Sequence, residues 1–145
     1  MTDIKIDYKD PVFPISTAAK ILNISVHTLR MYERAGLFIA SRKKSHQRLF
    51  SKADIERIEC IRHSINELKI SINGIKAIYS LIPCWIIFKC SVEERQNCEA
   101  FKGHTNPCWS CYHSNTIQKK QECRECEVYQ KYSECENIKM LLKEI

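Results

Sequence analysis

The chain has 145 residues, with 23 Lys and Arg against 17 Asp and Glu, nine Cys and three Gly. That length holds one ordinary domain or two small ones. No apolar run approaches the roughly 20 residues of a membrane span, and the start, Met-Thr-Asp-Ile-Lys-Ile-Asp-Tyr-Lys-Asp, alternates charge without an apolar secretory core. A cytoplasmic, reducing location is therefore expected, where nine cysteines point to metal ligands or redox groups rather than disulfides. The charge is split unevenly. Residues 1–82 carry 14 basic and 8 acidic side chains, residues 83–145 nine of each, and residues 26–52 seven basic against Glu33 alone. A basic cluster of that kind is the electrostatic footprint of a phosphate-binding surface.

In chain order, residues 1–13 read as a polar arm or edge strand, with Pro11 and Pro14 limiting regular structure. Ser16 is expected to cap a first helix through Leu22, with Ala18, Ala19, Ile21 and Leu22 as its apolar face. Asn23-Ile24-Ser25 then turns into a second helix. Ser25 is its expected N-cap, Val26, Leu29 and Tyr32 lie at helical spacing, and Gly36 supplies a left-handed stop. His27, Thr28, Arg30 and Arg34 fall on the opposite face. Two short helices joined by three residues form a helix-turn-helix, whose second member enters the major groove.

Leu37–Ala40 and Arg48-Leu49-Phe50 flank a basic, polar stretch from Ser41 to Gln47, the pattern of a β-hairpin. The tip lacks Gly, so a longer loop is expected than a two-residue turn. Ser51-Lys-Ala-Asp54 is a capping-box start for a third helix with a stripe of Ile55, Ile58, Ile61, Ile65 and Leu68. Cys60, off that stripe, reads as a small apolar residue. Ser71 caps a fourth helix carrying Ile72, Ile75, Ile78, Tyr79 and Ile82, which Pro83 ends.

Ile15-Ser-Thr-Ala-Ala-Lys, Thr28-Leu-Arg-Met-Tyr-Glu-Arg-Ala-Gly-Leu, Arg48-Leu-Phe-Ser-Lys-Ala-Asp-Ile and Ile72-Asn-Gly-Ile-Lys together resemble the DNA-binding domain of MerR-family transcription regulators. The lead-in from Pro11 to Ile15 and Ser71-Ile-Asn-Gly-Ile-Lys are most similar to the heat-shock repressor branch. The resemblance covers about residues 11–82. It implies a winged helix-turn-helix that binds a pseudo-palindromic promoter site as a homodimer, with RNA polymerase as a further partner at the promoter. Mapped onto the matching positions, it implies DNA contacts from Ser16, Thr17, His27, Thr28 and Arg30, a phosphate contact from Tyr32, and backbone contacts from Arg42, Lys44 and Arg48. Elementary chemistry agrees: Arg pairs bidentately with guanine, while Lys neutralises phosphate and sets register. The pattern departs from the family after the fourth helix. Pro83 forbids the continuous long helix through which members pair, and a cysteine-rich segment follows.

That segment holds Cys84, Cys90, Cys98, Cys108, Cys111, Cys123, Cys126 and Cys135. Cys108-Trp-Ser-Cys111 and Cys123-Arg-Glu-Cys126, separated by eleven residues, can bring four thiolates to the corners of a tetrahedron. Trp85 and Trp109 each follow a cysteine, which suggests two diverged copies of one ligand unit and resembles the small bacterial two-CW module. Seven cysteines belong to this pattern, and Cys135, His104 or His113 would supply an eighth ligand. The absence of Gly in either Cys-x-x-Cys turn and the aromatic neighbours Trp85, Trp109 and Tyr112 tilt the expectation towards an iron–sulfur cluster, with zinc the alternative. Few aliphatic residues lie between 84 and 126, so ligation is expected to supply much of the folding energy.

The expected fold is mainly α. An N-terminal arm (1–13) precedes a winged helix-turn-helix domain (14–82), a small metal-stabilised Cys-rich domain (83–127) and a C-terminal helix (128–145). Val128, Tyr132, Cys135, Ile138, Leu142 and Ile145 would form that helix's seam, for dimerisation or for packing on its own chain. The expected function is a transcription regulator whose cysteine module senses redox or metal state. One alternative keeps the DNA-binding domain but makes the module a constitutive zinc fold for partner binding or dimerisation. A distant third, a thiol or electron-transfer enzyme, lacks a strand–helix pattern around either Cys-x-x-Cys turn and a catalytic base paired with a cysteine, so no enzymatic activity is expected.

Overall fold

The structure is a computed structural model that describes residues 5–87, 89–103, 105–111 and 123–132. Cys135, His104, His113, Tyr112 and the seam residues Ile138, Leu142 and Ile145 lie outside the described residues.

The described chain is mainly helical around one small sheet. Strand β1 (Phe13–Pro14) leads directly into α1 (Ile15–Leu22). Pro14, extended and with no N–H to lose, therefore takes the N-cap position, and Ser16 falls inside the first turn instead of capping it. Ala18, Ala19 and Leu22 are buried as expected, but Ile21 is exposed. Asn23 ends the helix in the left-handed conformation, φ 55°. Ser25 caps α2 (Val26–Arg34) by accepting the Thr28 N–H at 3.0 Å. At the other end the Gly36 N–H reaches Glu33 O and the Leu37 N–H reaches Tyr32 O, the paired bonds of a Schellman stop, with Gly36 at φ 81°.

After Gly36 the chain runs through Leu37, Phe38, Ile39 and Ala40, all buried, before it joins the sheet. Strand β2 (Ser41–Arg42) pairs antiparallel with β3 (Arg48–Phe50), and β3 pairs on its other side with β1, giving the order β1-β3-β2. The hairpin tip spans five residues and closes with the Lys43 N–H on Gln47 O, as the missing Gly implied. The first apolar run is thus a buried connector rather than a strand. The arm before β1 is tied to the same frame: the Val12 N–H donates to Phe50 O, the Ala53 N–H to Tyr8 O, and the Tyr8 hydroxyl to Glu56.

Helix α3 (Lys52–Asn66) opens with a complete capping box between Ser51 and Asp54. Ile55, Ile58 and Ile61 are buried, while Leu68 lies past the helix end and is exposed. Helix α4 (Ile72–Ser80) is capped by Ser71 and buries Ile75 and Tyr79, leaving Ile78 exposed. Short helices follow: α5 (Cys84–Ile87), α6 (Val92–Gln96) and α7 (Glu99–Lys102), then a 3₁₀ turn at Cys108–Ser110 and a wide helical turn at Val128–Tyr132.

The core is shared. Leu29, Leu37, Phe38, Phe50, Ile58 and Ile61 lie in the same buried cluster as Trp109, Val128 and Tyr129. Full burial of such side chains stabilises by about 1.5–3 kcal/mol each. Trp109 packs between Tyr79, at 5.4 Å, and Tyr129, at 5.2 Å and nearly edge-on, and the Arg57 guanidinium lies 3.9 Å from the centre of the Tyr129 ring. Apolar packing onto the helix-turn-helix therefore contributes to ordering the cysteine-bearing segment, beside whatever its thiols bind. Cys60 is disulfide-bonded, not simply a small apolar residue.

Candidate nucleic-acid interface

Helix α2 is anchored from beneath by Leu29 and Tyr32, which are 0% and 4% exposed. That anchoring turns His27, Arg30, Met31 and Arg34 to solvent, with Thr28 half-buried beside them. Thr28 is also fixed locally, its hydroxyl 2.8 Å from that of Ser25. On α1, Ser16 and Lys20 are exposed and Thr17 is half-buried. Ser16, Lys20, Asn23, Ser25 and Val26 line an open cleft at the elbow between the two helices.

The expected contacts divide on this frame. His27, Thr28 and Arg30 share one outward face, and Lys44 stands exposed at the hairpin tip beside Lys43, Ser45 and His46. Tyr32 is in the core, its hydroxyl 3.5 Å from Arg62 Nη1, and so does not stand on the outward face where a phosphate contact was expected. Arg42 and Arg48 meet a single carboxylate: Arg42 Nη2 lies 2.6 Å from Glu33 Oε1 and Arg48 Nε lies 2.7 Å from Glu33 Oε2. Glu33 thus ties α2 to both strands of the hairpin. The sequence held the signal for this, one acid among seven bases, but not the pairing.

Most of the described cysteines lie in or against the shared core. Cys84 and Cys123 are buried, and Cys90, Cys98, Cys108, Cys111 and Cys126 are half-buried. The Cys84 and Cys108 thiols share a hydrogen bond, which lowers the Cys84 pKa. The same bond, burial and the neighbouring Cys84, Cys126 and Cys123 push the Cys108 thiol well above its ordinary value. Burial raises Cys111, with Glu99, Cys98 and Cys84 nearby, and also Cys90, beside Glu94, Cys84 and Cys98. Cys108 of the first Cys-x-x-Cys turn thus lies near both cysteines of the second, Cys123 and Cys126, and near Cys84, while Cys111 lies near Cys98 and Cys84. Among the described residues no three His, Cys, Asp or Glu side chains converge closely enough to hold an ion.

Three long-range contacts had no local sequence signal. The Arg124 guanidinium forms a bidentate pair with Asp54, at 2.8 and 2.7 Å, with both side chains buried. The Trp109 Nε1–H donates to Gly36 O at 2.7 Å, and the Ile39 N–H donates to the Tyr129 hydroxyl at 2.8 Å.

Residues 13–81 match the MerR HTH family of regulatory proteins. A protein described as heat shock protein HspR, from Streptomyces coelicolor, is 35% identical over 71 residues, which are 49% of this chain and 47% of that protein. The chain thus aligns with about half the length of that relative. No described helix is long and apolar enough to cross a membrane. Residues 13–81, with this helix order, these caps and the basic outward face, thus look like a MerR HTH family regulatory protein.

Proposed function

We propose that the chain is a DNA-binding transcription regulator in which α2 enters the major groove and the β2–β3 hairpin acts as a wing on the flanking backbone. The observation that carries this reading is the outward face of α2, His27, Thr28, Arg30 and Arg34, held rigid by buried Leu29 and Tyr32 and joined to the basic hairpin through Glu33. A nine-residue helix is about 13.5 Å long, suited to a groove about 12 Å wide. His27, Thr28 and Arg30 would meet base edges, and Ser16, Thr17, Lys44 and the hairpin arginines would set register on phosphates. Binding as a homodimer at an inverted repeat, with RNA polymerase as a second partner at the promoter and the cytoplasm as its location, follows from the same reading.

The test is enrichment of duplexes from a random-sequence pool by the full chain. Recovery of an inverted repeat with half-sites one helical turn apart supports the reading; a recovered pool no different from the input overturns it. On the recovered site, log K should fall against log salt by about 0.9 per phosphate neutralised.

The thiol group is proposed to take an iron–sulfur cluster or zinc. What supports it is the clustering of soft sulfur donors: Cys108 shares a hydrogen bond with Cys84 and has Cys123 and Cys126 nearby, ligand types that zinc and iron–sulfur clusters take. Anaerobic purification with iron, zinc and sulfide measurement decides it: metal-free, fully folded protein removes the proposal. If zinc alone is found and stripping it leaves DNA affinity unchanged, the module is a structural fold and not a sensor.

A further inference from the structure

The connector from Gly36 to Ala40 poses an accounting problem. Leu37, Phe38, Ile39 and Ala40 are buried, yet the sheet begins only at Ser41. Their backbone groups are out of reach of water and outside the β-ladder, so partners must come from elsewhere. Three come from beyond residue 105. Gly36 O accepts from the Trp109 indole, the Ile39 N–H is taken by the Tyr129 hydroxyl, and Ile39 O accepts from Arg124. Arg124 also grips Asp54, the residue that closes the capping box of α3, and Arg57 Nη2 holds Tyr129 O at 2.9 Å. A β-carbon at position 36 would lie 2.5 Å from Ser110 Oγ, so the 3₁₀ turn sits hard against the end of α2.

We infer that Trp109, Arg124 and Tyr129 are positioning residues of the DNA-reading surface, bracing the connector that fixes the hairpin relative to α2. The inference rests on the DNA-binding reading above and deepens it. None of the three reaches the outward face; they act through the backbone of residues 36–39. The family domain ends at residue 81, and its connector is satisfied by a segment it does not include. Each brace residue also stands close to a thiol: Trp109 follows Cys108, Arg124 follows Cys123, and Tyr129 comes three after Cys126. Whatever those sulfurs bind therefore acts within one to three residues of every brace contact.

Tyr129→Phe keeps the ring and removes the hydroxyl that bonds Ile39 N–H and Ile39 O, Trp109→Phe exchanges the indole and its N–H for a smaller aromatic ring, and neither changes charge. The experiment measures amide hydrogen exchange along the full chain and, separately, the affinity of a labelled 30-base-pair mixed-sequence duplex over a range of salt. In Tyr129→Phe, exchange should rise at least tenfold at Ile39–Arg42 and stay unchanged in α4. Trp109→Phe should loosen the Gly36 and Leu37 amides in the same selective way. In both, duplex affinity should fall about three- to tenfold, and the slope of log K against log salt should become shallower by about one, as a hairpin base loses its phosphate. Neither substitution removes a positive charge, so a merely structural role would leave that slope alone. Unchanged exchange at 36–42, a rise spread evenly over all helices, or a preserved slope overturns the inference. Failure of the wild-type chain to bind any duplex instead sinks the DNA reading, and the exchange pattern then judges the brace by itself.

Discussion

Residues 5–82 and residues 83–132 solve the same problem with different means. The first region builds helices of eight to fifteen residues, three of them capped by a serine, each burying a stripe of its own. The second region uses helices of four or five residues that bury almost nothing by themselves, α6 nothing at all. Yet it places Trp109, Arg124, Val128 and Tyr129 in the core of the first. Regular structure and structural weight are separate quantities here. Described residues with only short helices of their own supply the contacts that complete their neighbour.

The joint itself is the first place to break that contrast. Arg124→Met leaves Asp54 buried without its counter-ion, which should cost about 3–5 kcal/mol; urea unfolding of the full chain reads it. Asp54→Asn combined with Arg124→Met should recover part of the loss, because no lone charge is then buried. If the single variant loses less than about 1 kcal/mol, the second region is an ornament on the first.

Tyr79 sits at the same joint against Trp109, and burial raises its pKa from 10.0 to about 12, with Arg57 opposing. The neutral phenol is the buried form. Its contribution is therefore complete below pH 10 and is lost as pH rises from 10 to about 12, by roughly 2–3 kcal/mol in total. Tyr79→Phe should flatten stability across that window, as measured by urea midpoints at each pH. An equally steep decline in the variant would mean that another group governs the alkaline limb.

Two capping boxes, Ser51 with Asp54 and Ser91 with Glu94, sharpen the comparison further. Ser51→Ala should cost about 1–2 kcal/mol, because α3 carries Ile55, Ile58 and Ile61 into the core. Glu33→Gln should strengthen binding to mixed-sequence duplex at low salt by about three- to tenfold, since Arg42 and Arg48 lose their carboxylate, and should steepen the salt slope. Ser91→Ala removes the same capping chemistry from α6, where no residue is buried, and thermal melts should move by no more than a few tenths of a kcal/mol. Equal costs at Ser51 and Ser91 would refute the distinction between a helix that carries core and one that does not.

What the sequence made legible was local. Ser25, Gly36, the Ser51–Asp54 box, Ser71 and Pro83 act on residues within one turn of themselves, so their spacing suffices. The misplacements were local too, and each has a neighbour as its cause. Pro14 comes straight off β1 and displaces Ser16 from the cap, and α3 ends at Asn66, with Lys69 in the left-handed region, so Leu68 never joins the stripe. The contacts that close the core were not legible, because Asp54 and Arg124, Gly36 and Trp109, and Ile39 and Tyr129 are 70 to 90 residues apart. Asp54 looked complete as a capping residue, and nothing in one sequence reveals that its carboxylate has a second user. The cysteines behaved likewise: spacing suggested that the two Cys-x-x-Cys turns meet, but not that Cys84, 24 residues before Cys108, shares a hydrogen bond with it.

Glu33 has one more consequence. Its two oxygens hold two arginines side by side, about as the two free oxygens of a phosphodiester would. The unbound protein thus carries its own stand-in for the nucleic-acid backbone. An incoming polyanion has to evict that resident carboxylate before it gains the arginines, and an unmatched stretch of DNA offers little else in return. On the DNA-binding reading proposed above, residence on unrelated DNA would therefore be short, and a matched site, where α2 would add base contacts at the same moment, would hold the protein longer.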